Sequence, residues 1–187
     1  MWAYYVGHLR RPPDPARYVL AQPGWLPEGA AVLDFGGGDG RRALPLAEAR
    51  AAHVTVADVD EDALRRAPRH PLVRTALLDG RRLPFASEAF DLVFVNHVIH
   101  HVQDLPSVLR EIRRIVRPGG RILCIEFHPD CAVTRIYRVF SGFRKHPCTF
   151  YRPEALAALF GAPPFAAEHR MLDGFQYVVS ARRPEQT

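Results

Sequence analysis

Apolar and polar residues alternate along this 187-residue chain in blocks that predict strands and helices in turn. Short apolar runs rich in Val, Ile and Leu are typical of strands that are buried on both faces. A segment with apolar residues at 105, 108, 109, 112, 115 and 116 has the spacing of one buried helical face. The predicted strands lie at 31–35, 53–58, 72–78, 90–95 and 121–127, and the predicted helices at 14–20, 41–50, 60–67 and 105–116.

The order of these elements predicts an α/β fold. Strands that alternate with helices across short loops form a parallel, doubly wound sheet with right-handed crossovers. Near the end of the chain, two further strand-like runs at 166–171 and 175–182 flank Leu172-Asp-Gly174, and an Asp-Gly pair is a typical hairpin turn. We therefore expect a mostly parallel, seven-stranded sheet that ends in an antiparallel hairpin.

A glycine-rich turn follows the first predicted strand. In Val32-Leu-Asp-Phe-Gly-Gly-Gly-Asp-Gly40, the alternating glycines allow positive φ and let the backbone lie directly against a ligand. Arg41 occupies the position where a dinucleotide fingerprint needs its last glycine, so the spacing favours an adenosine ligand without a pyrophosphate. A purely structural turn between a strand and a helix remains the alternative at this point.

Acidic residues end the next two predicted strands. Asp58 follows the glycines by about 20 residues, where a carboxylate can accept both ribose hydroxyls, although a nicotinamide cofactor would also place an acid there. Asp79 is expected beside the adenine, where it can accept from the exocyclic amine. Each acid alone could be a helix cap, but three strands that end in Asp34, Asp58 and Asp79 indicate a nucleoside site.

With these motifs, the chain resembles the class I S-adenosylmethionine-dependent methyltransferases, in particular the small-molecule branch that includes ubiquinone/menaquinone-type methyltransferases. The resemblance runs from about 32 to 127 and also rests on Phe90-Asp-Leu-Val93, Ile99-His-His-Val102 and the run from Arg114 to Arg121. It implies a Rossmann-like fold and S-adenosylmethionine as the cofactor. It further implies these cofactor-binding residues: Asp34, Gly36 and Gly38 at the methionine end, Asp58 at the ribose, Asp79 and Gly80 at the adenine, Asn96 beside the methyl group, and Val59 as a further cofactor contact.

Candidate catalytic residues lie where the fourth and fifth strands are predicted to end. His97 and His128 could deprotonate a substrate there, because imidazole is well matched to that task near neutral pH. His97, His100 and His101 have helical metal-ligand spacing, but we expect no metal, since the family's own His-His run needs none. Methyl transfer from a sulfonium depends mostly on alignment, so positioning is expected to be the main contribution of the protein.

A lid is predicted between the last parallel strand and the hairpin. Apolar residues including Ala132, Val133 and Ile136 fall on one face of a helix over 131–145, which packs on its own domain or, as the alternative, on a membrane surface. Arg135 and Arg138 would lie near the mouth and could grip an anionic substrate.

Composition narrows the partners. The net charge of +5 invites a nucleic-acid reading, but Lys145 is the only lysine and the arginines are scattered, so no nucleic-acid partner is expected. Neither a run of 18 apolar residues nor a signal-peptide pattern is present, so we expect no transmembrane segment and a cytoplasmic location. The three cysteines predict neither disulfides nor a zinc site.

These observations lead to one hypothesis and one alternative. The chain is expected to be a single domain over 1–187, with an N-terminal cap at 1–30 and a lid insertion at 128–150, that methylates an unidentified small molecule. Asn96 is followed by His97, not by the Pro-Pro-Tyr/Phe of adenine methyltransferases of nucleic acids. The alternative is a catalytically silent S-adenosylmethionine-binding domain that regulates or supports a partner. The sequence leaves the oligomeric state open.

Overall fold

The computed structural model describes residues 15–78, 82–132, 134–136 and 148–185. A single 3₁₀ turn, Ile99–His101, lies between the fourth strand and the fourth helix. The helices are α1 Pro15–Leu20, α2 Ala43–Arg50, α3 Glu61–Leu64, α4 Leu105–Ile115 and α5 Pro153–Phe160, and the strands are β1 Ala31–Phe35, β2 His53–Asp58, β3 Val73–Leu77, β4 Phe90–Asn96, β5 Val116–Phe127, β6 Ala166–Met171 and β7 Gln176–Arg182.

The seven strands form one sheet in the order β3-β2-β1-β4-β5-β7-β6. Strands β1 to β5 pair in parallel, whereas β7 is antiparallel to both β5 and β6. The predicted doubly wound sheet with its C-terminal hairpin is therefore confirmed. The strand order reverses between β1 and β4, and ligands of open α/β sheets bind outside the carboxyl ends of the strands at such a point.

Each face of the sheet carries its own apolar layer. On one face, α1 and α2 bury residues such as Val19 and Leu46 against β1 and β2. On the other face, α4 buries Leu105, Val108, Leu109, Ile112 and Ile115, which are the positions that its helical spacing predicts. A sheet covered on both faces explains why the parallel strands read as unbroken apolar runs.

Several elements differ from the sequence expectation. Helix α2 begins at Ala43 instead of 41, so Pro45 lies in the first turn, where its missing N–H is harmless. Strand β5 begins at Val116, which pairs with Phe90 before the register shifts across Pro118-Gly-Gly120. Helix α5 was not predicted, because its eight residues follow a loop and its apolar residues alone do not separate a short helix from a strand.

The described part of the predicted lid packs on a different face from the one expected. Backbone at 132 and 134–136 is helical, but Cys131 and Thr134 are its buried side chains, while Ile136 is 59% exposed. Thr134 is held down because its hydroxyl lies 2.9 Å from the carbonyl oxygen of His128 and donates locally to backbone. The expected packing of this apolar face on its own domain is therefore wrong for Ala132 and Ile136, and Val133 and Arg138 lie outside the described residues.

Candidate functional site

The glycine turn after β1 is the narrowest part of the site. Gly36, Gly38 and Gly40 have φ of 69°, 57° and 64°, as their spacing predicts. Gly36 also has no room for a side chain, because a Cβ there would collide with Val98. A Cβ on Gly37 would lie 2.7 Å from the Asp34 carboxyl carbon, so this glycine, which the sequence analysis did not single out, lets the turn close over Asp34.

Asp34 lies beneath this turn with its carboxyl out of water. Asp34 is 1% exposed, and its Oδ2 has no hydrogen-bond partner in the part of the chain that the structure describes. Burial raises the pKa of Asp34 to about 7; the nearby Arg42 lowers it, and the carboxylates of Asp58 and Asp39 raise it further. In the ligand-free protein, the Oδ2 atom of Asp34 therefore accepts no hydrogen bond from a described residue.

Asp58 ends β2 beside the same turn, as predicted. Its Oδ2 accepts the N–H of Gly38 at 2.8 Å, and its Oδ1 accepts the N–H of Asp60 at 3.0 Å. Val59, the next residue, is 65% exposed, and the exposed Leu77 is paired in register with Asp58 on β3. A carboxylate is thus bordered by apolar surface, while Asp79 and Gly80 lie outside the described residues.

Two further buried polar atoms without partners lie at the end of β4. Asn96 is buried, and neither its Oδ1 nor Nδ1 of His97 has a hydrogen-bond partner among the described residues. With Oδ2 of Asp34, these are three buried polar atoms at the carboxyl ends of the two central strands. Buried polar atoms without partners are rare in folded proteins, so the three atoms indicate a ligand that brings hydrogen-bond donors or positive charge.

His97 is held more firmly than a surface histidine. Its backbone has φ of 56°, its N–H donates to the carbonyl of Ile125 at 2.9 Å, and its ring stacks on Phe127 with centroids 4.0 Å apart. Burial lowers the pKa of His97 to about 4; Glu126 opposes this effect, while His100 and Arg42 add to it. The imidazole is therefore neutral at physiological pH.

His128 lies just beyond β5 and is tied to the hairpin. Its backbone N–H donates to the carbonyl of Phe175 at 2.7 Å, and its Nδ1 accepts the N–H of Asp130 at 3.3 Å. Its ring meets Tyr177 edge to face with centroids 6.4 Å apart. The half-buried His128 is thus held at the end of the sheet where the sequence placed it.

A buried Glu126–His100 pair supports the turn after β4. His100 Nδ1 lies 2.7 Å from Glu126 Oε2, and the N–H of Ile99 donates to Glu126 Oε1 at 2.7 Å. The ring of Phe150 stacks on His100 at 4.9 Å, which docks the chain returning from the lid. This pair was not predicted from the sequence. An acid inside an apolar strand such as β5 is nevertheless a signal, because a buried carboxylate needs a partner.

Arg42 is the cation of the site that the sequence analysis missed. It precedes α2, is half-buried, and acts electrostatically on both Asp34 and His97. No hydrogen bond or ion pair joins its guanidinium to any residue in the described ranges. Its neighbour Arg41 differs, because it is exposed and paired with Asp39.

The histidine run does not assemble a metal site in the described structure. No three His, Cys, Asp or Glu side chains converge there in an arrangement that could hold a metal ion. Likewise, none of the described helices is both long enough and apolar enough to cross a membrane.

Comparison with known proteins matches residues 33–124 to a family described as a methyltransferase domain. Demethylmenaquinone methyltransferase of Streptomyces avermitilis is 35% identical over 106 residues, which cover 56% of this chain but only 46% of that protein. The match therefore spans less than half the length of this relative.

Solved structures agree on the fold. The complex of a Haloferax volcanii methyltransferase activator with a putative methyltransferase gives a TM-score of 0.80 at 17% identity, over 92% of this chain and 90% of that one. A phosphoethanolamine N-methyltransferase of Haemonchus contortus, solved with S-adenosyl-L-methionine, gives 0.75 at 17% identity, over 92% and 53%. The match over residues 33–124 and the 35% identical relative confirm the resemblance to class I methyltransferases, and the solved structures show the same fold.

The buried carboxyl of Asp34 predicts how the stability of the ligand-free protein depends on pH. Folding raises the pKa of Asp34 from 3.8 to about 7, so the folded state holds the proton more tightly, and stability is lost as the pH rises from about 4 to 7. A shift of this size corresponds to about 4 kcal/mol. We expect Asp34→Asn to unfold at higher urea concentration than wild type at pH 8, by a margin that shrinks as the pH falls toward 4.

The matched control is Asp62→Asn, since Asp62 is exposed and paired only with Arg65. Its stability should follow wild type within about 1 kcal/mol at every pH. A difference between Asp34→Asn and wild type that does not change with pH would contradict the assigned pKa.

Proposed function

We propose that this chain, which matches a methyltransferase domain over residues 33–124, transfers a methyl group from S-adenosylmethionine to a small molecule. The two buried oxygens without partners, on Asp34 and Asn96, carry the proposal, since they fit a ligand that brings hydrogen-bond donors and positive charge. When bound, S-adenosylmethionine supplies an electrophilic methyl group on a sulfonium. The residues described below would bind and orient the two reactants.

The methionine end fits the turn between β1 and α2. An ammonium beside Asp34 would satisfy Oδ2 and restore the ionised carboxyl, because an opposite charge lowers a raised carboxyl pKa. Gly38 leaves its backbone open to close approach, whereas the space beside Gly36 is taken by Val98. The Oδ1 of Asn96 would accept a hydrogen bond near the reacting methyl group. These positions agree with the roles that the sequence resemblance implies.

The half-buried Arg42 supplies the complementary charge. The methionine portion carries a carboxylate as well as an ammonium, and a guanidinium binds a carboxylate through two parallel hydrogen bonds. Arg42 acts electrostatically on Asp34 and has no ion-pair partner in the described ranges. The carboxylate of Asp34 would therefore bind the ammonium of the methionine portion, and the guanidinium of Arg42 would bind its carboxylate.

The nucleoside end is assigned to Asp58 and Val59. Each oxygen of Asp58 already accepts one backbone N–H and retains a lone pair for a ribose hydroxyl. The exposed side chain of Val59 offers an apolar surface to the adenine. Asp79 and Gly80 remain the predicted adenine contacts from the sequence alone.

The methyl acceptor remains a small molecule of undetermined identity. His97 and His128 are the candidate catalytic groups, and Arg135, which is exposed, and Arg138 are the candidate contacts to an anionic substrate. A cytoplasmic location and the lack of a nucleic-acid partner also stay predictions. The demethylmenaquinone methyltransferase match suggests testing hydroquinone-type acceptors first.

The alternative is a domain that binds the cofactor without turning it over. The buried acceptors explain binding and do not by themselves require turnover. Formation of S-adenosylhomocysteine from S-adenosylmethionine in a metabolite extract separates the two, because a silent domain forms none.

Cofactor binding is tested directly by thermal unfolding. A ligand that binds only the folded state stabilises it by mass action, by about 2.7 kcal/mol at one hundred times its Kd. We expect S-adenosylhomocysteine to raise Tm and NAD to leave it unchanged, because Arg41 replaces the glycine that a pyrophosphate needs. A rise with NAD alone would assign the site to another cofactor.

The ribose assignment is tested by Asp58→Ala. Two hydrogen bonds to a carboxylate contribute about 1.5 to 3 kcal/mol each, so affinity for S-adenosylhomocysteine should fall at least about tenfold by calorimetry. Asp62→Ala is the control, since this acid is exposed on α3 and away from the turn. Equal affinity of the two variants would show that the ribose is bound elsewhere.

The role of Arg42 is tested against its neighbour. Arg42→Ala should weaken S-adenosylhomocysteine binding by about tenfold or more, since a charge-assisted pair is lost from a half-buried position. Arg41→Ala removes the same side chain from an exposed pair with Asp39 and should change Kd less than twofold. Equal losses would mean that overall positive charge, and not a contact to Arg42, governs binding.

A further inference from the structure

The C-terminal hairpin reaches the candidate site through one buried side chain. Gln176, the first residue of β7, is 4% exposed and lies between Asp173 and His97. Its Nε2 donates to Asp173 Oδ2 at 3.1 Å, and its Oε1 lies 2.9 Å from His97 Nε2. The turn of the hairpin is therefore connected to the histidine after β4.

The turn also fixes which way the Gln176 amide faces. Asp173 Oδ1 accepts the backbone N–H groups of Phe175 and Gln176, each at 2.7 Å, so the carboxylate cannot rotate away. An ionised carboxylate only accepts, hence the amide nitrogen of Gln176 must face Asp173 and the amide oxygen must face His97. A neutral His97 then carries its proton on Nε2 and keeps a lone pair on Nδ1.

Resting on the proposed methyltransferase function, we propose that Asp173 and Gln176 are positioning residues that hold His97 with Nδ1 as a hydrogen-bond acceptor for the methyl acceptor. The acceptor group is then a hydroxyl or an amine that carries a proton. Nδ1 has no partner in the described structure, and Asn96, whose position is expected beside the methyl group, directly precedes His97.

The proton balance of the reaction follows from this geometry. The lone pair of the acceptor oxygen or nitrogen forms the new bond to the methyl carbon. The bond between sulfur and the methyl carbon breaks, and its electron pair stays on sulfur. The acceptor must release one proton, which passes to Nδ1 of His97. The resulting imidazolium keeps its Nε2–H bond to Gln176 and then releases the proton to water.

Local strain and packing support a role in orientation. His97 has φ of 56°, which few residues with a side chain adopt and which recurs at functional sites. Its ring is stacked on Phe127 and cannot turn freely. The titratable or charged groups around it are Glu126 on β5, His100 on the 3₁₀ turn and Arg42 before α2. Burial, with smaller contributions from His100 and Arg42, lowers the pKa of His97 to about 4 against the opposing effect of Glu126, so Nδ1 stays available above about pH 5.

The first test reads the tautomer of His97 by NMR of the full chain with ¹⁵N-labelled histidine. In wild type we expect the neutral form protonated on Nε2 from about pH 5.5 to about pH 8, because the pKa of His97 is lowered to about 4. Asp173→Asn presents an amide N–H to Gln176, so Gln176 must reverse and donate to His97, which moves the proton to Nδ1. The exposed Asp62→Asn is the control and should leave the wild-type spectrum unchanged.

The second test measures turnover of the same variants as the amount of S-adenosylhomocysteine formed. The first group of acceptors carries a proton to lose: phenols, hydroquinones and primary amines. The second group, thioethers and tertiary amines, carries none. We expect wild type to methylate members of the first group, and Asp173→Asn to lose about 100-fold in kcat while its affinity for S-adenosylhomocysteine stays unchanged. Asp62→Asn should keep the wild-type kcat.

The outcomes separate the inference from the function on which it rests. A wild-type tautomer protonated on Nδ1, an unchanged kcat in Asp173→Asn, or turnover restricted to thioethers and tertiary amines would overturn the positioning role. Each of these results would leave methyl transfer itself standing. Failure of S-adenosylhomocysteine to bind wild type would instead remove the proposed function, whatever the tautomer of His97.

Discussion

The buried carboxyl of Asp34 is the constraint on which the site depends. The glycine turn closes directly over it, so the carboxyl lies out of water, and no described residue donates a hydrogen bond to Oδ2. An unpaired acid in such a place destabilises the fold above neutral pH, and the protein retains it at the central crevice of the sheet. A positively charged ligand would remove this cost, so the same feature that weakens the free protein favours binding.

The remaining polar groups are arranged around that acid by the sheet. Parallel pairing of β1 with β2 and β4 brings the ends of three strands together, which places Asp58 and Asn96 on either side of Asp34. Arg42 enters from the start of α2 and balances part of the negative charge. The site is thus assembled by backbone pairing, and each side chain needs only to stand at the end of its own strand.

Packing behind the site is as specific as the site itself. The buried Glu126–His100 pair stabilises the turn after β4, and Gln176 of the hairpin is hydrogen-bonded to His97. Both supports come from strands β5 and β7, which pair with each other antiparallel. The C-terminal hairpin therefore does more than complete the sheet, because its turn residue Asp173 orients a ring near the central crevice.

The sequence by itself determined the order of strands and helices, the glycine turn and the acids that end β1 and β2. These are local features, since apolar periodicity and glycine spacing are written in neighbouring residues. Only the tertiary structure decided that Arg42 has no ion-pair partner in the described ranges, that Gly37 covers Asp34 and that Gln176 meets His97, 79 positions away. Such contacts join elements distant in the chain, and their effect on burial and hydrogen bonding exists only once the sheet has formed.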